Sequence, residues 1–132
     1  MLTGALNLTE LLAELAKFPD FDGNYQVNLS VIEPLKQIQT PTEIVVIIGT
    51  WCPDCHRDIP RFNAIINAIG NANIQVKYFG VDKQKVDVQG LAAQYEFSRL
   101  PTYIVKQQDS EIGRIIERPE LTLEEDLVKL LN

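Results

Sequence analysis

Residues 43–49 read Glu-Ile-Val-Val-Ile-Ile-Gly, and three positions later the chain continues as Cys52-Pro53-Asp54-Cys55. The run is β-branched and apolar at successive positions instead of alternate ones, which suits a central strand covered by helices on both faces. Pro53 falls at the first positions of a helical pattern, where its missing N–H costs nothing. Phe62, Ile65, Ile66 and Ile69 carry the apolar stripe of that helix to a close at Gly70-Asn71. Pro60 inside it predicts a kink.

The remaining segments supply the covering layers. Leu8, Leu11, Leu12 and Leu15 recur at helical spacing over residues 7–18, with Asn7 or Thr9 as cap, Pro19 as stop and the stripe packed on its own domain. Tyr25, Val27 and Leu29 alternate with polar residues as a short strand would. A second helix is predicted from a Ser30 cap, with Pro34 in its first turn and Ile32, Leu35 and Ile38 inward. Residues 74–81 read as a strand, and 88–97 as a short helix with Leu91, Ala92 and Tyr95 inward. Residues 102–106 and 112–116 read as paired strands joined through Gln108-Asp109-Ser110. Thr122 and Glu125 have capping-box spacing before a helix that buries Leu127, Val128, Leu130 and Leu131. Glu120, Glu124, Glu125 and Asp126 read as its solvated face. The fold class is α/β with mixed strand directions.

At 132 residues, 45% apolar and 23% charged, the chain suits one domain with one core. A net charge of −6 leaves no basic stripe to release counterions, which argues against nucleic acid or an anionic membrane as partner. Residues 1–8 lack the basic start and long apolar stretch of a signal peptide, and no segment approaches the roughly 18 apolar residues of a membrane span. The expected location is therefore cytoplasmic. There, a vicinal pair formed by the chain's only two cysteines is expected to be catalytic or metal-binding instead of a structural staple.

The chemistry follows from placement. Unpaired N–H groups and the macrodipole at a helix N-terminus favour negative charge, which lowers a thiol pKa from about 8.5 toward 7 or below. Cys52 comes first and is the expected nucleophile. Cys55, one turn deeper, is the resolving thiol that attacks the mixed disulfide. Asp54 beside the sulfur opposes the thiolate, while His56 and Arg57, read as solvated helix residues, partly offset it. The net expectation is a Cys52 pKa of about 7 to 8, which favours a reductant. Trp51 is read as a half-exposed indole flanking the sulfur, with core packing as the alternative. Pro53 starts the helix and is a candidate to tune the potential.

The strand followed by Trp51-Cys52-Pro53-Asp54-Cys55, with Pro60 five residues later and Phe97-Ser98-Arg99-Leu100-Pro101-Thr102 downstream, resembles the thioredoxin superfamily. The resemblance implies a thioredoxin-like fold, a central mixed sheet flanked by helices. Residues 1–24 form an extra N-terminal helical extension to a domain at 25–132. It also implies a cis Leu100–Pro101 bond packed against the cysteines, with Pro101 shaping a substrate groove and the Leu100 backbone pairing with a bound peptide. Trp51, Pro53, Asp54, Leu100 and Pro101 are the candidate substrate contacts. Two features depart from the family's pattern. Its buried carboxylate falls at Val46 and its lysine companion at Tyr78, which leaves water or Asp54 to take the Cys55 proton. Its glycine after the last strand is replaced by Glu117-Arg118-Pro119.

Cys52-Pro53-Asp54-Cys55-His56 also spells a c-type haem attachment, but His56 and Met1 are the chain's only histidine and methionine, so a second axial ligand is wanting. Zinc on Cys52, Cys55 and His56 needs a further ligand from elsewhere. The function expected is thiol–disulfide exchange on protein disulfides by a monomer, with no cofactor and with an upstream disulfide reductase to regenerate it. A reductase of small disulfides or one linked to peroxide is the nearest variant. A non-catalytic partner-binding module is the alternative of a different class.

Overall fold

The structure, a computed structural model, describes residues 1–131. Five strands form one mixed sheet: β1 (Gly4–Leu6), β2 (Thr42–Ile48), β3 (Ile74–Gly80), β4 (Thr102–Gln107) and β5 (Ser110–Ile116), in the spatial order β1-β3-β2-β4-β5. β2 runs parallel to β3, and the other pairs are antiparallel. The β-branched run is thus the central strand, and Ile44 to Ile48 are fully buried. The helices are α1 (Leu8–Leu15), α2 (Leu29–Ile32), α3 (Pro53–Ile69) and α4 (Leu123–Leu131). Among the described residues no helix is long and apolar enough to cross a membrane.

Local signals explain most boundaries. Asn7 caps α1 by accepting from the Glu10 N–H, and Leu11 and Leu15 are fully buried. α3 continues through Pro60 and stops at Gly70, which takes the left-handed conformation (φ 58°) and returns its N–H to the Ile66 carbonyl. The β4–β5 hairpin turns on Gln108 and Asp109, both at positive φ, as a tight two-residue connection demands. Thr122 Oγ1 accepts from the Glu125 N–H at 3.0 Å and donates to the Glu125 carboxylate at 3.2 Å, so the predicted pair caps the helix through the threonine hydroxyl.

Five expectations are corrected. The N-terminal segment supplies a strand as well as a helix: β1 edges the sheet against β3, where Gly80 leaves no room for a Cβ beside the Leu2 carbonyl. Residues 25–28 form no strand, because their polar groups turn to a side chain. Tyr25 Oη donates to both oxygens of Glu124 at 2.8 Å, and the Asn28 N–H donates to the same carboxylate at 3.0 Å. The second helix is capped by Asn28 instead of Ser30 and lasts four residues before Pro34 enters a 3-10 turn (Glu33–Gln37). Residues 88–97 are a loop with one 3-10 turn (Ala93–Tyr95), because the Asp87 carboxylate takes the N–H groups of Leu91 and Ala92 and Gly90 breaks the path. The acids of α4 are not all solvated. Glu124 is 1% exposed, and Asp126 accepts from the Glu120 and Leu121 N–H groups.

Candidate active site

The central strand ends in a close turn that sets the cysteines. Gly49 lies flat under the Trp51 indole; a Cβ there would come within 2.6 Å of the ring. The half-buried indole donates Nε1–H to the Val81 carbonyl at 3.0 Å, so Trp51 both packs and borders the site. The Cys52 N–H bonds to the Gly49 carbonyl, and Cys52 itself is the N-cap of α3, with extended φ and ψ. Pro53, exposed, is the first helical residue. Cys52 is part-exposed, and Cys55 is buried.

A second segment meets them from 48 residues away. The Leu100–Pro101 peptide bond is cis, both residues are buried, and the Leu100 carbonyl lies 4.0 Å from Cys52 Sγ. Asp54 stands on the outer side of the helix start, where Arg57 Nη1 approaches it at 3.0 Å and Arg118 at 3.5 Å. Trp51, Cys52, Pro53, Asp54, Leu100 and Pro101 therefore gather at one end of the sheet, with Cys55 beneath.

The two thiols are tuned in opposite directions. Cys52 is lowered to about 6, first by hydrogen bonding from the Cys55 thiol, then by the N–H groups of Cys55 and Asp54; burial and the Asp54 charge oppose this. That corrects the expected 7 to 8. The neighbouring thiol is a stronger donor to the thiolate than the helix end alone, and Asp54 offsets only part of it. Cys55 is pushed well above its ordinary value, chiefly by burial and then by Cys52. With Cys52 near 6, about 90% is thiolate at pH 7 against about 3% for a free thiol, a gain of about 30-fold. Intrinsic nucleophilicity falls about 13-fold at a Brønsted slope near 0.45, so attack quickens only about twofold. The larger effects are on leaving-group quality and potential.

His56 is not solvated, and Arg57 is solvated only in part. His56 is 3% exposed, its Nε2 lies 2.6 Å from the Thr50 carbonyl, and its ring stacks on Phe18 at 3.8 Å between centroids. It is a structural pin between the N-terminal segment and the turn before Cys52. Arg57 is part-buried and forks onto Asp58, at 2.8 and 2.9 Å to its two oxygens. Asp58, which the sequence reading does not single out, is 4% exposed. Its signal was there: three residues after Cys55 it occupies the same helix face. Val46 and Tyr78 are core residues, paired in register, and Tyr103 flanks Val46 on the other side. Among the described residues no group of three or more histidine, cysteine, aspartate and glutamate side chains is arranged to hold a metal ion.

The family model described as Thioredoxin matches residues 8–129. A protein of unknown function from Pseudomonas aeruginosa has a similar structure, with a TM-score of 0.58 and 19% identity over 95% of this chain and 84% of that one. Trxlp from Edwardsiella tarda gives 0.55 and 19% over 81% of this chain and 95% of its own. The reduced thioredoxin pre-protein of Schistosoma mansoni gives 0.52 and 23% over 78% and 90%. Likenesses at these identities carry the fold. No curated protein matches the sequence.

Proposed function

This chain belongs to the thioredoxin family, and we propose that it acts as a thiol–disulfide oxidoreductase reducing the disulfides of protein substrates. The observation that carries the reading is the split pair: a part-exposed Cys52 held near 6 above a buried Cys55 held high. One thiol is ionised for attack, and the other stays protonated until attack has occurred.

The Cys52 thiolate attacks one sulfur of the substrate disulfide. That S–S bond breaks, and its electron pair leaves on the other sulfur, which takes a proton. Cys55 then loses its proton and attacks Cys52 Sγ, expelling the second substrate thiolate. Two electrons have passed to the substrate, whose second thiolate takes its proton from solvent, and a Cys52–Cys55 disulfide remains. An upstream disulfide reductase returns the electrons; the dithiol itself is the carrier, so no bound cofactor is required. Trp51, Pro53, Asp54, Leu100 and Pro101 form the rim that receives the substrate, and the Leu100 backbone is the partner offered to an extended peptide. Residues 1–24 are an extension fastened to the 25–132 domain. The setting proposed is a cytoplasmic monomer.

The test is a single turnover of the reduced protein with an equimolar protein disulfide. One substrate dithiol should appear per protein, with a two-hydrogen mass loss from the chain. Cys52→Ser should abolish the reaction, and Cys55→Ser should stall it at a mixed disulfide. Retained substrate binding with every thiol intact would favour the partner-binding module instead.

A further inference from the structure

Arg57, Arg61, Arg99 and Arg118 gather around the mouth of the Cys52 site, although the chain carries a net charge of −6. Their contacts place them. Arg118 reaches the Asp54 carboxylate at 3.5 Å, and Arg57 reaches it at 3.0 Å. The Glu117 N–H donates to the Pro101 carbonyl at 2.7 Å, and Arg99 pairs with Glu117 at 2.9 Å. Residues 117 and 118 therefore span from the cis-proline loop to the first turn of α3. Arg61, one turn beyond Arg57, pairs with Asp22 at 2.8 Å and lies over the ring of Tyr25.

Each of these arginines is paired, so the sign of the surface is decided by which partner faces outward. The Arg118 side chain is 70% exposed against 21% for Asp54, and Arg99 is 67% exposed against 32% for Glu117. Arg57 and Arg61 are likewise more open than Asp58 and Asp22. An approaching chain meets guanidinium groups in front of carboxylates. Arg118 also has donors to spare: among the described residues its acceptor is Asp54, through one long contact, whereas a guanidinium carries five N–H groups. With Tyr25, Arg57, Arg61 and the exposed Leu121 it lines a cleft of about 380 Å³. The neighbouring cleft beside Pro53 carries the exposed Asp20, which disfavours an acidic group on that side.

We propose that the site selects protein disulfides flanked by acidic side chains, and that Arg118 is the residue that reads them. A glutamate or aspartate near the substrate cysteine takes the Arg118 guanidinium in a two-point contact. Asp54 gives up only its longer, exposed ion pair and keeps Arg57, so recruiting Arg118 costs little. Arg57 and Arg61 stay with Asp58 and Asp22 and add to the local field. Leu121 and Tyr25 offer apolar surface to the same substrate segment. Arg118 does not touch the reacting sulfurs and acts as a specificity-determining residue. The net charge of the whole chain would favour a basic partner instead, so the two expectations differ in sign and substrate charge decides between them.

The inference names the substrate class of the oxidoreductase reading and rests on it, and the test separates the two. Three disulfide-bridged peptides of one sequence carry glutamate, glutamine or lysine at the positions flanking the bridge. The rate of first attack by the reduced protein is measured for each and divided by its rate with dithiothreitol, which removes the peptide's own reactivity. At low salt the wild type should favour the glutamate peptide over the lysine peptide by about tenfold, and the gap should close at about 0.5 M salt. Arg118→Glu should reverse the order, and Arg118→Lys should keep it at reduced size, since the charge remains and the fork is lost. Lys36→Glu is an equal change of charge beside Asn71, past the far end of α3, and should leave the wild-type ratio in place. Both positions are exposed, so neither substitution disturbs the core. Equal rates for the three peptides, or a preference for lysine, overturn the substrate class and leave the oxidoreductase reading standing. An order unchanged in Arg118→Glu, or reversed equally by Lys36→Glu, overturns the role of Arg118. Reduction of none of the peptides overturns both readings.

Discussion

Replacing Cys55 by alanine removes the group that does most to hold the Cys52 pKa down. A hydrogen bond to a charged group contributes about 1.5–3 kcal/mol. At about 1.4 kcal/mol per unit this is a rise of about one to two units. The Cys52 midpoint should therefore move from about 6 to about 7–8. It should stop short of a fully ordinary thiol, because the backbone N–H groups of Asp54 and residue 55 survive the substitution and still favour the thiolate. Asp54→Asn should move it the other way, since the carboxylate raises the pKa. Thiolate absorbance against pH reads the midpoint, and the alkylation rate of Cys52 over the same range checks it. At pH 7 the thiolate fraction should drop from about 90% to about 10–50%. A Cys55→Ala midpoint within about 0.3 unit of wild type would refute the reasoning and leave the helix end as the sole cause.

His56→Ala removes both the stack on Phe18 and the bond to the Thr50 carbonyl; the loss in urea unfolding should be about 2–4 kcal/mol, and a loss under about 0.5 contradicts a pinning role. Gly49→Ala drives a methyl into the indole of Trp51, so tryptophan emission should shift as the bond to Val81 is lost, and an unchanged spectrum would count against the packing described. Tyr25 is raised to about 12, by burial first and then by Glu124. Because the folded value lies above the unfolded one of about 10, its contribution is complete below about pH 10 and is lost as pH rises through about 12. Tyr25→Phe should flatten the stability decline across that window, whereas parallel declines would exclude the coupling.

The elements that sequence made plain are those whose side chains decide locally. The run before Gly49 has one way to be buried, the Thr122–Glu125 box closes on itself, and the cysteine spacing puts both sulfurs on one helical turn. What escaped depends on distant partners. β1 is three residues long and exists because Gly80, far along the chain, lets the Leu2 carbonyl approach. Residues 25–29 carry a strand-like alternation, but the polar groups of Tyr25 and Asn28 are taken by Glu124, 99 and 96 positions away. His56 beside Cys55 looked like a surface residue until Phe18 supplied its stacking partner. Asp58 shows a subtler case: helical spacing places it with Cys55, yet a carboxylate beside an arginine reads as solvated unless the fold buries it. The Cys52 acidity is hidden from the sequence for a similar reason, since the donor thiol of Cys55 is a contact of geometry and not of composition.

The most direct measurement is equilibration of the protein against glutathione buffers, with the Cys52–Cys55 disulfide quantified by its two-hydrogen mass loss. Thioredoxin, with a thiol near 7, sits at about −270 mV, and strongly oxidising relatives near 3.5 sit at about −120 mV. Interpolating to the Cys52 value of about 6 gives about −230 mV. A single two-electron transition near that potential is the predicted result. A chain whose two sulfurs never join at any glutathione ratio would contradict the proposed chemistry outright.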